Sequence, residues 1–317
     1  MYTVSMFTSP LDRSDAAYKS IEKFVNESWG SIGPDGTYPP FFPGPQPISI
    51  ERKHFRTLSR NEYLCCEKTD GTRMALVFYG NTSVVVNRAM NMYPVKFHLS
   101  KSAFRGTILD GEFIECKDGG KMFAVYDAVI IGGEIIKNLP LTDRLNHMRR
   151  FVSGIMKMKR DPFVIGVKKF YDFSGLSELF DKIRKNDFPY GHDGLIFTPV
   201  KDGIKIGTQN NLFKWKPLEK NTIDFLVRNR ENGDLGLYIQ DKGDLVFESL
   251  IPSAHNIRMS DGTIVECMYM TSDWPRWWSP VGIRTDKTHP NNRRTLMRTL
   301  VNIRENIQLD EFLKIQK

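Results

Sequence analysis

Tyr63-Leu64-Cys65-Cys66 is a short apolar run, and Lys68-Thr69-Asp70-Gly71 follows it, with Arg73 two residues beyond the glycine. Such a run reads as a strand that offers a lysine at its end, with a carboxylate two residues on and a glycine that allows a tight turn. That arrangement suits a lysine that carries a nucleotide covalently. An amine attacks an α-phosphate only when neutral, so its pKa has to fall well below the ordinary value of about 10.4, and nearby cations lower it. Taken alone, four common residues of this kind mark a solvated turn more often than a nucleophile. Their weight comes from the rest of the chain.

At 317 residues the chain has the length of two domains, each able to bury its own core. A hydrophobic content of 40% with 26% charged residues is that of an ordinary soluble globular protein. No apolar run approaches the roughly 20 residues needed to cross a bilayer, and the N-terminus lacks a secretory pattern. A soluble, non-secreted protein is therefore expected. Cys65, Cys66, Cys116 and Cys267 show no Cys-x-x-Cys spacing, which favours buried thiols in a reducing compartment over a zinc site. The net charge of +8 and pI near 9.2 permit a polyanionic partner such as a nucleoside triphosphate or RNA, without requiring one.

Ahead of the lysine, Ser14 to Glu27 reads as a helix with Tyr18, Ile21, Phe24 and Val25 on one face, and the Gly/Pro-rich stretch from Gly30 to Pro47 as irregular. Behind it, Met74 to Tyr79 and Ser83 to Asn87 flank a Gly80-Asn81 hairpin turn. Thr107 to Leu109 runs into Asp110-Gly111-Glu112, and Phe123 to Ile131 precedes Gly132-Gly133. Helices are expected over about Thr142 to Lys157 and Ser174 to Lys185, then a strand over Leu195 to Thr198 after His192-Asp193-Gly194. Beyond Pro217 the pattern changes to short strands with tight turns, Leu235 to Gln240 and Asp244 to Leu250 around Lys242-Gly243, as a small OB-type β-barrel would begin. A last helix spans about Asn292 to Arg304, with Leu296, Leu300 and Ile303 inward. These elements predict an α+β chain with a domain boundary near Pro217.

Several charged residues fall at expected strand ends. Asp110-Gly111-Glu112 puts a carboxylate at the mouth of a strand, suited to a ribose hydroxyl or a metal-bound water, and Asp193-Gly194 repeats the arrangement. Two carboxylates facing one triphosphate are plausible Mg²⁺ partners, since magnesium prefers oxygen ligands and retains waters. In Lys214-Trp215-Lys216 a strand would turn both ammonium groups to one side, where they can bind the α-phosphate, stabilise its transition state and help neutralise Lys68. Each feature has a plainer reading. Asp-Gly steps are turns, Lys214 and Lys216 the solvated face of an edge strand, Arg73 and Arg88 surface charges, and Tyr126 a core aromatic with a satisfied hydroxyl. Their joint order, spacing and type favour the functional reading.

That order resembles the covalent nucleotidyltransferase superfamily of RNA capping guanylyltransferases and polynucleotide ligases. The motifs are Lys68-Thr69-Asp70-Gly71 with Arg73, Asp110-Gly111-Glu112, Phe123 to Ala128, Asp193-Gly194-Leu195-Ile196, Lys214-Trp215-Lys216-Pro217 and Arg284-Thr285-Asp286-Lys287. Pro43-Gly44-Pro45 with Ser49-Ile50-Glu51-Arg52-Lys53, Asn87-Arg88-Ala89-Met90, Thr222-Ile223-Asp224-Phe225, Ile264-Val265-Glu266-Cys267 and Trp278 resemble the capping enzymes of large DNA viruses, such as that of chlorella virus. The likeness covers nearly the whole chain. It implies a nucleotidyltransferase domain of the ATP-grasp-like ligase and capping type over 1–218, an OB-fold domain over 219–307, and residues 308–317 packing back on the first domain. It also implies an mRNA guanylyltransferase that moves GMP from GTP, through a lysyl-N–GMP intermediate, to the 5′-diphosphate end of RNA.

Residue by residue, the resemblance makes Lys68 the nucleophile and Asp70 part of the catalytic motif. Glu112 and Arg88 contact the ribose, with Glu112 near the metal, and Arg73 binds ribose or phosphate. Tyr126 takes the place of an aromatic, often Phe in relatives, that stacks on the guanine, and keeps its stacking face. Lys168 falls where relatives place a guanine-reading lysine. Asp193 organises Mg²⁺ or Mn²⁺, and Lys214 and Lys216 hold the α-phosphate. Arg284 and Lys287, with Asp286, orient the β- and γ-phosphates once the domains close over the triphosphate, and reopening admits the RNA.

Two rivals stay open at this point. An ATP-dependent polynucleotide ligase shares the lysine chemistry, though ligases commonly place Glu-Gly where this chain has Asp193-Gly194 and lack its match around Arg284. An inactive OB-type RNA-binding scaffold would show eroded motifs, and Lys68, Glu112, Asp193, Lys214 and Lys216 are all in place. None of the cysteines has an arginine six residues on, so a Cys-x5-Arg phosphatase loop is missing, and no length is left for a methyltransferase. RNA triphosphatase and cap methyltransferase are therefore expected as separate partners, with no membrane partner. The viral likeness places the protein in the cytoplasm or nucleus of an infected cell, or in a virion.

Overall fold

The computed structural model describes residues 7, 9–156, 158–230, 234–251, 258–270, 277–285 and 287–315. They form two compact units, the first holding the chain up to Ile48 and Thr57–Lys214, the second Ser49–Arg56 and Trp215–Ile315.

In chain order the first part runs α1 (Ala16–Trp29), β1 (Pro45–Ser49), α2 (Phe55–Arg60), β2 (Tyr63–Thr69), β3 (Thr72–Tyr79), β4 (Thr82–Asn87), β5 (Met92–Pro94), β6 (Thr107–Glu115), β7 (Lys121–Ile131), β8 (Glu134–Ile135), α3 (Leu141–Ser153), β9 (Val164–Val167), α4 (Leu176–Arg184), β10 (His192–Pro199) and β11 (Gly207–Trp215). Two sheets result. One is β5-β4-β3-β6-β7-β8, antiparallel throughout, with β9 added parallel to β7. The other is β1-β11-β10-β2.

β3 shows why the larger sheet sits between two helices. A strand alternates its side chains between faces, so a run that is apolar at every position must be covered on both. Met74, Leu76 and Phe78 join Leu109, Phe123 and Val125 in one core, which Leu141, Leu145 and Met148 of α3 complete. Ala75 and Val77 join Val84, Val86 and Ile108 in another, closed by Tyr18, Ile21 and Val25 of α1. α1 stops at Gly30, whose φ of 77° gives the left-handed C-cap that glycine adopts without strain.

Several boundaries differ from the sequence reading. The stretch from Gly30 to Pro47 is irregular only until Pro45, where β1 begins. α3 ends at Ser153, short of Lys157, with Gly154 as its cap. Asp110-Gly111-Glu112 does not stand at the mouth of a strand. It lies within β6, where irregularities against β7 at Ile108/Leu109 and Asp110/Gly111 re-aim the side chains. β11 ends at Trp215, so the alternation expected through Lys216 stops one residue early.

The second unit is β12 (Thr222–Asn229), β13 (Leu235–Asp241), β14 (Asp244–Leu250), β15 (Ile264–Met270), β16 (Trp277–Ile283), α5 (Arg293–Glu305) and α6 (Leu309–Leu313). Its strands form one antiparallel sheet in the order β14-β13-β12-β15-β16, and among the described residues this sheet is open rather than closed into a barrel. Phe225, Val227, Leu237, Val265 and Trp278 make its core with Leu296 and Ile303 of α5. α5 is capped by Asn292, whose side chain accepts from the Thr295 N–H. Ser49–Arg56 joins this unit through bonds from Asn302 Nδ2 to the Ile50 carbonyl (2.6 Å) and from the Arg52 N–H to Glu305 (2.8 Å). α6 also belongs here: Phe312 packs on Phe55 and Trp215, and Trp215 Nε1 donates to the Ile307 carbonyl.

Candidate active site

β2 ends on the Lys68 motif, and β10 runs antiparallel beside it with His192 opposite Thr69 and Leu195 opposite Glu67. The register shifts between His192 and Leu195, at Asp193-Gly194, where Gly194 takes a φ of 150°. Within this break Asp193 meets the lysine: Lys68 Nζ donates to Asp193 Oδ1 at 2.7 Å. Gly71 is needed for close approach more than for a turn, because a Cβ there would fall 2.6 Å from the Phe113 carbonyl of β6. Asp70 is exposed and bonds through its N–H to the Gly191 carbonyl; its side chain is not in the wall described next.

Lys68, Thr69, Arg73, Arg88, Glu112, Tyr126 and Lys168 line one cleft of the first unit, with apolar wall from Pro45, Pro47, Ile196 and Leu212. The empty space between its walls, open solvent included, is about 930 Å³. Half-buried Tyr126 and Ile196 offer it apolar faces suited to a flat ring.

Arg73 is fixed by the protein itself. Its Nε and Nη2 donate to the two oxygens of Asp110 (3.1 and 2.7 Å), its Nη1 donates to the Pro45 carbonyl (2.5 Å), and its guanidinium lies 5.2 Å from the Phe42 ring centre. Gly44 makes room for it, since a Cβ there would stand 2.3 Å from Nη2. Tyr126 donates its hydroxyl to Asp110 Oδ1 at 2.8 Å, so one fully buried carboxylate anchors both the arginine and the aromatic ring. Burial pushes the Glu112 carboxyl up from its ordinary range, and Lys168, Lys68, Arg88 and Arg73 pull against that shift. A site with so many cations around one carboxylate is built for further negative charge.

Lys168 follows β9, with its N–H on the Val125 carbonyl, and its ammonium donates to the Glu67 carbonyl (2.5 Å) and Thr69 Oγ1 (2.6 Å). Sequence reasoning missed Glu67 and Tyr190 behind it, the anchoring role of Asp110, and the buried Arg144–Asp127 pair that also lines the cleft. One signal was available: a carboxylate inside an apolar strand needs a buried partner.

Of the other expected residues, Lys214 is half-buried on β11, and Lys216, Arg284 and Lys287 lie in the second unit. Asp286 lies outside the described residues. Arg284 Nη1 donates to Asp224 Oδ1 at 2.8 Å, and Lys287 Nζ stands 3.8 Å from Asp224 Oδ2, so buried Asp224 serves both cations. Among the described residues no cluster of three metal-ligating side chains occurs. Glu112 and Asp193 supply oxygen donors of the type magnesium takes one or two of, beside phosphate and water, so the donor chemistry fits a metal brought with a nucleotide better than a standing metal cage.

A family model described as mRNA capping enzyme, catalytic domain, matches residues 2–218, and one described as mRNA capping enzyme, C-terminal domain, matches residues 219–313. The mRNA-capping enzyme subunit alpha of Schizosaccharomyces pombe is 29% identical over 337 residues, covering 88% of this chain and 81% of that one. The mRNA-capping enzyme of Danio rerio is 27% identical over 285 residues, covering 81% of this chain and 46% of its own, and that of Mus musculus 26% over 286 residues with the same coverage. The chain thus spans under half the length of the two animal proteins. A mycobacterial DNA ligase D complexed with ATP and MES has a TM-score of 0.47 at 14% identity over 77% of this chain and 95% of that one, too low to carry an argument. With both of its parts matched by the two domain models of one family, the chain belongs to the mRNA capping enzymes.

Proposed function

We propose that this chain is an mRNA guanylyltransferase that transfers GMP from GTP to the 5′-diphosphate end of RNA through a lysyl-N–GMP intermediate. The observation that carries the proposal is the cleft in which Lys68 stands among Arg73, Arg88, Glu112, Tyr126 and Lys168, at the end of β2. The guanine would lie between Tyr126 and Ile196, the ribose against Glu112 and Arg88. Arg73 would act through Asp110 and Tyr126 as much as by direct contact.

In the first half-reaction Lys68 Nζ forms a bond to the α-phosphorus while the bond from that phosphorus to the bridging oxygen breaks, and pyrophosphate leaves with the electron pair. The amine has to be neutral to attack. Asp193, at 2.7 Å, orients the amine, whose proton passes to water before attack. In the second half-reaction a β-phosphate oxygen of the RNA end bonds to the same phosphorus, the P–N bond breaks, and the lysine is reprotonated, leaving a GpppN cap. Glu112 and Asp193 would hold Mg²⁺ or Mn²⁺, which supplies charge neutralisation at the phosphates when bound. Lys214 and Lys216 would steady the α-phosphate, and Arg284, Asp286 and Lys287 the departing pyrophosphate, with Asp70 supporting the lysine loop.

The division into a nucleotidyltransferase domain over 1–218 and an OB-fold domain over 219–307 is part of the same proposal, as are a separate RNA triphosphatase and cap methyltransferase. No helix of the described residues is long and apolar enough to cross a membrane. A setting in an infected cell or virion rests on the likeness to viral enzymes, whereas the relatives matched above are cellular. The test is to incubate the chain with labelled GTP or ATP and divalent metal, then denature it. Label retained from GTP and lost in Lys68→Ala supports the reading; label from ATP alone, or undiminished label in Lys68→Ala, overturns it.

A further inference from the structure

Arg88 reaches the cleft from the turn that joins β4 to β5, and that turn is strained. The Met90 N–H returns to the Asn87 carbonyl (3.0 Å), and the Asn87 N–H bonds to the Asn91 carbonyl (3.1 Å). Met90 thereby takes the left-handed place where a short hairpin turn ordinarily carries glycine, and its φ is 59°. Asn186, Lys242 and Asn306 share that sign, but asparagine tolerates it and Lys242 is exposed in a turn of its own. Met90 is apolar and 1% exposed. Strain of this kind persists only where the surroundings over-determine the backbone, and it gathers at binding sites.

Here the surroundings come from outside the hairpin. The Met90 side chain packs with Tyr18, Ile21 and Val25 of α1. The three carbonyls that follow Asn87 are each taken by a different donor. The Phe42 N–H donates to that of Arg88 (3.0 Å), Arg13 Nη2 to that of Ala89 (3.0 Å), and the buried Tyr18 hydroxyl to that of Met90 (3.0 Å). Asn87 Oδ1 accepts the N–H groups of Ala89 and Asn91, both at 3.0 Å. The backbone on either side of Arg88 is thus held at every carbonyl, while its side chain stays exposed. Arg13, Tyr18, Phe42 and Met90 do not themselves line the cleft.

We propose that Tyr18 and Met90 are positioning residues for Arg88: α1 holds the strained turn in one shape, so that the guanidinium is already in place for the ribose when the nucleotide enters. The proposal rests on the guanylyltransferase reading and deepens it. An arginine on a loose turn has to be ordered as the nucleotide binds, and that ordering weakens affinity. The loss can be no larger than the worth of the contacts that held the turn.

The experiment measures the rate of adduct formation by the full chain over a range of GTP, with the amount of active protein taken from the adduct formed at saturation. Tyr18→Phe keeps the ring in the core and frees the Met90 carbonyl. It is expected to raise KM for GTP by about fivefold, the effect of one hydrogen bond, with the maximal rate per active molecule nearly unchanged. Arg13→Ala, which frees the Ala89 carbonyl from an exposed side chain, is expected to move KM the same way by about twofold. In an Arg88→Ala chain, Tyr18→Phe should add nothing further to KM, because the group it positions is gone. An unchanged KM in Tyr18→Phe overturns the proposal, as does a smaller active fraction with KM unchanged, which marks a merely structural role. The same rise in KM with and without Arg88 also overturns it. Should Tyr18→Phe fail to fold, Arg13→Ala decides, and where Arg88→Ala forms no adduct the split between KM and maximal rate decides. A wild-type chain that forms no adduct with GTP removes the guanylyltransferase reading and the proposal with it. A wild-type adduct with KM unmoved in the variants removes the proposal alone.

Discussion

Asp110→Ala isolates the anchor on which the arginine and the aromatic ring both depend. The carboxylate is fully buried and accepts three bonds, two from Arg73 and one from Tyr126, while Arg73 is itself 7% exposed. Truncation leaves the guanidinium with the Pro45 carbonyl as its hydrogen-bond acceptor and removes the carboxylate bonded to it, Glu112 acting only at longer range. Breaking a buried pair from one side costs about 3–5 kcal/mol. The lost tyrosine bond adds about 1 kcal/mol, not strictly additively. That is a large share of the roughly 5–15 kcal/mol by which a domain is stable. With a urea slope of about 1–3 kcal/mol/M, the midpoint should fall by more than about 1 M. Hydrogen exchange of the β3 and β6 amides locates the loss in the first unit. The double variant Arg73→Met/Asp110→Leu removes both charges and should recover most of it, because apolar pairs of similar volume are tolerated in place of buried ion pairs. A single-variant cost under about 1 kcal/mol, or a double variant as poor as the single, would refute the anchoring argument.

Tyr126→Phe keeps the ring and removes only its bond to Asp110, so KM for GTP should rise by a few-fold, about 1 kcal/mol, with kcat nearly unchanged; an equal fall in kcat would contradict a purely positioning hydroxyl. Gly71→Ala sets a methyl group against the Phe113 carbonyl and should abolish adduct formation while the second unit keeps its fold, which circular dichroism and a labelling assay read together. Arg284→Ala and Lys287→Ala should impair formation of the GMP adduct far more than transfer of GMP from preloaded enzyme, and equal losses in both half-reactions would exclude their role at the pyrophosphate. His54 Nδ1 accepts the Glu51 N–H, and burial lowers its pKa below 6.5. The unfolded chain therefore takes up the proton first, so this contribution is full above about pH 6.5 and is lost as the pH falls, and His54→Gln should flatten that part of the stability curve.

The first unit was legible from the sequence where local pattern and tertiary demand agree. β3, β4 and their Gly80-Asn81 turn, the buried faces of α1 and α3, and the lysine at the end of β2 all follow from periodicity and turn chemistry. The site residues were legible in type but not in partnership. Asp110, Glu67 and Tyr190 act through contacts 16 to 123 residues apart in the chain, and no local spacing encodes such pairs. Arg73 shows the limit most plainly, since its charge suggested a ligand contact, yet three of its donors are held inside the protein. Asp110-Gly111-Glu112 was misplaced for a related reason: an Asp-Gly step usually ends a strand, but here β3 and β7 pair on either side and carry the strand through it. In the second unit, whose sheet is open among the described residues, short alternating strands look the same in an open sheet and a closed barrel.

The central claim is that Lys68 carries GMP in mid-turnover, and mass spectrometry of the peptide spanning residues 63–79 reads it directly. After incubation with GTP and divalent metal, the account predicts that peptide with one GMP added on Lys68, stable to alkali and lost in acid, as a P–N bond requires. An unmodified Lys68 peptide from protein that turns over GTP, or GMP on another residue, would contradict it.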